Sequence, residues 1–167
     1  NVVGGTIQYK ASTDNGNTWS DWTTVKPSRT NAGTTLVKAY VKGDANHSDS
    51  EEVSGTIKVN KAAGKVTLSD TGASVPYGTT SAAFTATRLG DGELSVTDDN
   101  ATAEASISNG TVTISNIGSL AQGTKVVVTV SAAAGTNYNA ASATYTLTIN
   151  AKSIANFTVN AIADQTY

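Results

Sequence analysis

Cysteine is absent from this chain of 167 residues, and its absence excludes several chemistries at once. The chain has no disulfides, no thiolate metal sites and no cysteine nucleophile, so packing alone must stabilise the fold. Histidine occurs once, at His47, and the sequence contains no G-x-S-x-G or zinc-binding motif. Because no set of residues supplies a nucleophile, a base and an orienting group, we expect no enzymatic activity and no bound cofactor.

Charge is also scarce: charged residues make up 14% of the chain, and the net charge is −2. Without a basic stripe to neutralise phosphates, nucleic acid is not an expected partner. No apolar run is long enough to span a bilayer, and no signal peptide or sorting signal is recognisable. The abrupt ends at Asn1 and Tyr167 lead us to expect that the sequence is an excerpt from a longer protein.

The abundant residues are Thr, Ser, Asn, Gly and Ala, a composition typical of β-sandwich surfaces rather than of charged helices. An internal repeat agrees with this interpretation. Residues 31–60 and 122–150 each contain a Gly-Thr pair that opens an alternating strand, a turn with Asn-His or Asn-Tyr, and a closing strand that ends on Asn. The sequence therefore predicts an all-β tandem array.

The repeat and the turn signals divide the chain into three predicted segments. These are a partial β-repeat at 1–60, an Ig-like β-sandwich of about seven strands at 61–150, and the opening strands of a third repeat at 151–167. Lys61–Gly64 is too short for a flexible tether, so we expect a stiff joint that keeps the units nearly in line. In the last segment, Phe157 and Val159 are the expected inward residues.

Residues 12–19, STDNGNTW, carry the chemistry of a hairpin turn. Gly16 supplies a positive φ, and the Asp14 carboxylate can accept hydrogen bonds from the amides of the turn. The pattern S-x-D-x-G-x-T-W resembles the Asp-box hairpin of sialidases and of many unrelated β-proteins, where it is usually structural. A sialidase would also need an arginine cluster, whereas this chain has only Arg29 and Arg88. We therefore interpret the stretch as a structural turn.

Trp19 and Trp22 are three positions apart, so on a straight strand their side chains would face opposite sides. We then expect one to be buried and the other exposed. An exposed tryptophan could stack on a sugar, although a tryptophan beside a hairpin more often closes the turn. The candidate glycan contacts are Trp19, Trp22, Asp14 and Asp21, with Tyr40 as a further stacking surface and Asn17 as a further hydroxyl partner.

Two groups of polar residues could suggest a metal site. His47 has carboxylates on both sides, but Tyr138 takes its place in the second repeat, where the carboxylates are missing. We therefore interpret the position as a ring that packs on its turn. A second group has oxygen ligands suited to Ca²⁺ but no EF-hand loop, and we interpret it as a solvated turn. The two groups are Asp44, Asp49 and Glu51 around His47, and Asp98, Asp99 and Asn100 with Asp91 and Glu93.

Covalent cross-links are a further hypothesis, because isopeptide bonds in surface β-domains replace missing disulfides. Most lysines on strands merely face water, and an intact mass lacking ammonia or water would reveal such a bond. The lysines considered are Lys38, Lys58 and Lys65, with Glu52, Asp70, Asn60 and Glu104 as possible partners.

Residues 1–60 resemble the tandem β-repeats of large surface proteins from gut Firmicutes, which read GGT-x-x-Y-S-x-D-G-x-x-W-S, then P, AGT-Y and GD-x-NH. The matching residues are Gly4-Gly5-Thr6, Tyr9, Asp14, Gly16, Trp19-Ser20, Pro27, Ala32-Gly33-Thr34, Tyr40 and Gly43-Asp44-Ala45-Asn46-His47. Residues 61–150 resemble bacterial Ig-like (Big-type) domains. Those matches are Val75-Pro76-Tyr77-Gly78, Gly90-Asp91-Gly92-Glu93-Leu94-Ser95-Val96 and Asn137-Tyr138-Asn139-Ala140-Ala141-Ser142.

The resemblance implies tandem Ig-like β-sandwich domains, with the first unit incomplete at its N-terminus and a β-grasp fold as its alternative. It also implies an extracellular, cell-wall-associated location on a Gram-positive bacterium. We expect a structural spacer or stalk of an adhesin, the alternative being a carbohydrate- or mucin-binding module. The expected partners are neighbouring repeats, host or plant glycans, and a second chain that exchanges a strand through residues 151–167.

Overall fold

The computed structural model describes residues 4–153 and shows an all-β chain, which confirms the predicted fold class. The described residues form no helix, and so none that is long and apolar enough to cross a bilayer. The predicted opening strands of a third repeat lie almost wholly outside the described residues. The strands are β1 (Gly5–Ser12), β2 (Gly33–Gly43), β3 (Val53–Val59), β4 (Lys65–Leu68), β5 (Gly72–Pro76), β6 (Ala82–Leu89), β7 (Leu94–Asp98), β8 (Glu104–Ser108), β9 (Thr111–Ser115), β10 (Lys125–Ala132) and β11 (Ala141–Asn150).

The described residues form two compact units. The first contains β1 to β3 and also two short segments, residues 90–92 and 134–140; the second contains β4 to β11. The chain therefore passes from one unit to the other at five places rather than through one linker. These passages are at 64/65, 89/90, 92/93, 133/134 and 140/141.

The first unit is a three-stranded antiparallel sheet in the order β1-β2-β3. Its register places Tyr9 opposite Ala39 and Val37 opposite Gly55, so the odd-numbered residues of all three strands share one face. Within residues 4–59 the buried side chains are the hydroxyls of Ser12 and Thr35. The described part of this unit therefore has no closed apolar core. The β-grasp alternative needs a helix across the sheet, and the described residues contain none.

The second unit is an Ig-like sandwich. Its two four-stranded sheets have the orders β4-β6-β9-β8 and β5-β11-β10-β7. These are the strand orders of the two Ig sheets, with β4 and β5 as the two parts of a first strand that is divided between the sheets. Because of that division, the sandwich has eight strands instead of the predicted seven or so. β5 pairs in parallel with β11, whereas the other pairs in the sandwich are antiparallel.

Alternation along β10 and β11 builds the core of the sandwich. Every second residue of β10 is buried, as are Tyr145, Leu147 and Ile149 on β11, and Val128 and Leu147 have no exposed surface. The Phe84 and Tyr145 rings stack with centroids 4.0 Å apart, which joins the two sheets at the centre. The predicted Asn-Gly turn joins β8 to β9: Asn109 has φ 48° and Gly110 has φ 78°, the left-handed pair that a two-residue type I′ hairpin needs.

Replacing a leucine of this core should reduce stability strongly. We expect Leu147→Ala to lower the free energy of unfolding by about 2–5 kcal/mol, because the side chain leaves a cavity that the sandwich cannot fill. Leu89→Ala is the matched control, since Leu89 also lies on a strand of this unit but is 55% exposed. Chemical denaturation followed by circular dichroism measures both. Equal losses in the two variants would contradict the core assignment.

Candidate functional site

The turn between β1 and the first tryptophan is built around the Asp14 carboxylate. Its Oδ1 accepts bonds from the Ser12 hydroxyl (2.7 Å) and the Thr18 amide (2.9 Å), and its Oδ2 accepts one from the Thr18 hydroxyl (2.6 Å). The Gly16 amide donates to the Ser12 hydroxyl at 2.8 Å. These bonds follow from the spacing of S-x-D-x-G-x-T, which places the Ser12 and Thr18 donors around the Asp14 carboxylate and the Gly16 amide beside the Ser12 hydroxyl. Asp14 is therefore occupied by its own turn.

Both tryptophans lie on the same side of the first unit's sheet, and the prediction that they face opposite sides was wrong. The Lys10 ammonium lies 5.7 Å from the Trp19 ring centroid and 4.4 Å from that of Trp22. The period-two rule failed because both residues lie outside the strands, in an irregular segment after the turn. Both side chains are half-buried, so neither is the buried or the fully exposed member that we expected.

A small layer of aromatic and basic side chains covers the even-numbered face of the sheet. We call Lys10, Trp19, Trp22, Lys38 and Tyr40 the aromatic layer. Within it the Trp22 and Tyr40 rings meet edge to face at 4.6 Å, and the Lys38 ammonium lies 5.3 Å from the Trp19 centroid. The Trp19 indole N–H donates to the Gly16 carbonyl at 3.1 Å, which anchors the layer to the turn.

The lysines of the aromatic layer also share one carboxylate. Lys10 and Lys38 are directly opposite each other on β1 and β2, a like-charge pair that opposes sheet formation. Glu52 lies 3.8 Å from the Lys10 ammonium and 3.2 Å from that of Lys38. The Trp rings and this carboxylate therefore offset the repulsion between the lysines. Asp21, the remaining glycan candidate, is exposed, and its carbonyl oxygen accepts a bond from the Ser20 hydroxyl.

The opposite face of the same sheet is apolar and open among the described residues. Two grooves run along this open face, one of about 210 Å³ beside Gly55 and one of about 330 Å³ beside Val53. Val53 is 63% exposed and Ile7 is 37% exposed. The sequence signal of this face is the period-two alternation of the strands. The apolar side chains of the open face are Ile7, Tyr9, Val37, Val41, Val53 and Ile57.

Arg29 is a structural arginine. Its guanidinium donates to the carbonyls of Asn31, Ala32 and Thr34 and to the hydroxyl of Thr35 at 2.9–3.3 Å. These hydrogen bonds all go to residues 31–35, where β2 begins, so the guanidinium stabilises a turn rather than binding an anion.

His47 packs on its own turn and bonds to a neighbouring carboxylate. Its Nδ1 lies 2.7 Å from Asp44 Oδ1, and this bond holds the pKa of the Asp44 carboxyl below its usual range. The ring lies against Gly4, where an added Cβ would be 2.6 Å from the imidazole. Tyr138, at the matching position of the sequence repeat, also lies beside a glycine: an added Cβ at Gly90 would be 3.6 Å from its Cβ.

The acidic residues considered above as calcium ligands accept hydrogen bonds from backbone amides. Asp98 accepts from the amides of Asn100 (3.1 Å) and Ala105 (3.0 Å), and Asp99 accepts from Val127 (2.8 Å). Within residues 4–153, no group of three His, Cys, Asp or Glu side chains is arranged to hold a metal. Among the isopeptide candidates, Lys38 and Glu52 are in contact, as the ion pair described above.

Comparison of the sequence with known proteins found no matching protein-family model and no curated protein similar enough to count as a relative.

The Asp14 carboxyl should stay ionised at pH values well below the usual pKa of an aspartate. The hydrogen bond from the Thr18 hydroxyl, with those from the Thr18 amide and the Ser12 hydroxyl, lowers the pKa of Asp14 to about 2. These bonds stabilise the folded turn fully above the ordinary aspartate pKa, and the stabilisation is lost as the pH falls through about 2.

An NMR titration of the Asp14 carboxyl carbon measures this directly. Thr18→Val removes the hydroxyl donor but keeps the shape of the side chain, so we expect it to raise the pKa of Asp14. An Asp14 whose pKa is the same in the wild-type protein and in Thr18→Val would contradict the turn geometry.

Proposed function

We propose that the chain is a load-bearing spacer: β-domains that hold other modules of an extracellular, cell-wall-associated bacterial protein away from the surface. The observation that carries the proposal is the parallel pairing of β5 with β11, from Gly72↔Thr146 to Pro76↔Asn150. β5 lies near the chain's entry to the sandwich and β11 at its exit. Tension between these ends pulls the two strands along their length in opposite directions. Their hydrogen bonds are then loaded together rather than opened one after another.

Two further features support the same proposal. The polar side chains of the loops described above bond to the chain's own turns, as in Asp14, Arg29 and Asp98. The low charge of the chain offers no strong field to a partner. Such a segment transmits force and position without needing a pocket.

Single-molecule stretching of the full chain tests the load-bearing role. We expect Ala73→Pro to lower the unfolding force sharply, because the Ala73 amide points toward β11 in the parallel ladder. That direction follows from Tyr77, whose amide donates to the Asn150 carbonyl at 2.8 Å. Ala73 is an even number of residues from Tyr77, and alternate amides along a strand point to the same side. Ser74→Pro is the matched control, since the amide at 74 points away from β11.

The two proline variants must differ for the proposal to hold. If Ser74→Pro weakens the domain as much as Ala73→Pro, general disruption of β5 explains both results. A wild-type sandwich that unfolds without a distinct force peak would overturn the load-bearing role itself.

A second candidate is glycan or mucin binding by the aromatic layer. The specific observation in its favour is that Trp19 and Trp22 are both half-exposed on one face, which is the arrangement of a stacking platform. Against it, lysine ammonium groups already lie over both rings, and Asp14 is occupied by its turn.

A glycan-array and mucin screen of the chain decides this candidate. Specific binding that Trp22→Ala abolishes, with the fold intact by circular dichroism, would make this a recognition module. Trp22 is the better residue to replace than Trp19, because the Trp19 indole also anchors the turn. We expect no binding by the wild-type chain, as the spacer role requires none.

A further inference from the structure

Among residues 4–153, the sheet of the first unit has one covered edge, at β1, and one open edge, at β3. On β1, Tyr9 exchanges amide–carbonyl bonds of 2.7 and 2.9 Å with Thr23, and Ser20 donates to Ala11 at 2.9 Å. The Tyr9 amide and carbonyl point away from β2, so the even-numbered residues of β1 form the hydrogen bonds to β2. The even-numbered residues of β2 are then bonded to β1, and its odd-numbered residues bond to the odd-numbered residues of β3. The amides of Ser54, Thr56 and Lys58 on β3 therefore point away from the sheet.

The open edge has little of the protection that proteins usually give to such strands. β3 reads VSGTIKV, with one lysine and no proline. β3 pairs only with β2 in the described part of the chain, and the same edge is bridged further along, where Ala62 pairs with Tyr138. A row of outward amides and carbonyls along seven residues is a template for one more strand.

The open face beside this edge has room for a large side chain. Gly55 lies in the middle of β3, and an added Cβ there would meet no atom within 4 Å. The groove of about 210 Å³ at this point is mostly apolar and is lined by Tyr9, Lys26, Pro27, Val37, Gly55, Thr56 and Ile57. An aromatic side chain on an adjacent strand can cover a glycine of this kind and exclude water from it.

The chain carries a segment with the matching pattern. Residues 154–167, IANFTVNAIADQTY, lie outside the described residues and follow β11 by a few positions. Their odd-numbered members from Ala155 to Ala163 are all apolar and include Phe157 and Val159. Of the even-numbered residues between them, 156, 158 and 160 are polar and Ile162 is apolar. This period-two alternation is that of a strand with one face on an apolar surface.

We propose that the β3 edge and the open face accept residues 154–167 of a second copy of the chain as an added strand. The odd-numbered residues lie on the open face, with Phe157 over Gly55, and the polar residues lie on the side of the aromatic layer. The tail exceeds the seven residues of β3 in length, so one segment can satisfy the whole edge.

A second copy of the chain is the favoured donor, because only a short connection joins β11 to residues 154–167. Residues 151–153 alone separate β11 from the segment, and a lead of three residues restricts where the chain's own tail can turn. A second copy approaches without this restriction. Each copy then carries one acceptor and one donor, so association is head-to-tail and depends on concentration.

Sedimentation velocity of the full chain over a wide range of concentration tests the proposal. The wild-type mass should rise from that of a monomer to those of dimers and larger species. Phe157→Asp removes the donor and Gly55→Lys fills the acceptor groove with a charged chain, so each variant alone should stay monomeric. The matched control is Thr158→Asp, which places the same charge on the polar side of the segment and should still associate.

Mixing the two variants makes the test specific. Phe157→Asp keeps an intact acceptor and Gly55→Lys keeps an intact donor, so a mixture should form pairs that neither variant forms alone. Thr56→Pro, which removes an outward amide of β3, is a second acceptor variant and should behave like Gly55→Lys. Circular dichroism confirms that each variant is folded.

Three results would overturn the proposal. The first is a wild-type chain that stays monomeric at every concentration, which would mean that another segment, such as its own tail, covers the face. The second is a Phe157→Asp variant that still self-associates, which would indicate pairing of β3 edges or of open faces. The third is a mixture of the two variants that stays monomeric.

Discussion

The structure depends on one constraint: an apolar sheet face must be covered, and a β-sheet has two faces. The sandwich meets this constraint by packing its two sheets against each other, with Val128, Leu147 and the Phe84–Tyr145 stack at the interface. Within the described part of the chain, the first unit meets it on one face, where two tryptophans, a tyrosine and two lysine stems form a thin layer. Its other face is apolar and borders open grooves. The contrast leaves the sandwich with a closed apolar core and the described part of the first unit without one.

Polar side chains in both units stabilise turns. Asp14, Asp98 and Asp99 each accept bonds from backbone amides, and Arg29 donates to three carbonyls. A chain without disulfides has to fix its loops by other means, and carboxylate–amide bonds are well suited to that because a charged acceptor strengthens them. The same use of carboxylates leaves them committed to the backbone. This pattern agrees with a mechanical role.

Residues with local signals were predictable, and residues placed by tertiary contacts were not. Asn109-Gly110 and the Asp14 turn follow from a few neighbouring residues, since φ preferences and short-range hydrogen bonds decide them. Trp19 and Trp22 were assigned to opposite faces because a straight strand was assumed, whereas an irregular segment carries both to one side. The open face was overlooked for a related reason: alternation shows that a strand has an apolar side, not what covers it.

The sequence by itself determined that the chain is all-β, where most strands lie, and which side of each strand is apolar. These follow from period-two alternation and turn residues, which act over a few positions. Only the tertiary structure decided which strands share a sheet, that β5 runs parallel to β11, and that β3 pairs only with β2 among the described strands. Those outcomes depend on pairing between residues far apart in the chain. Many pairings satisfy the same alternation, and only packing of the whole unit selects one.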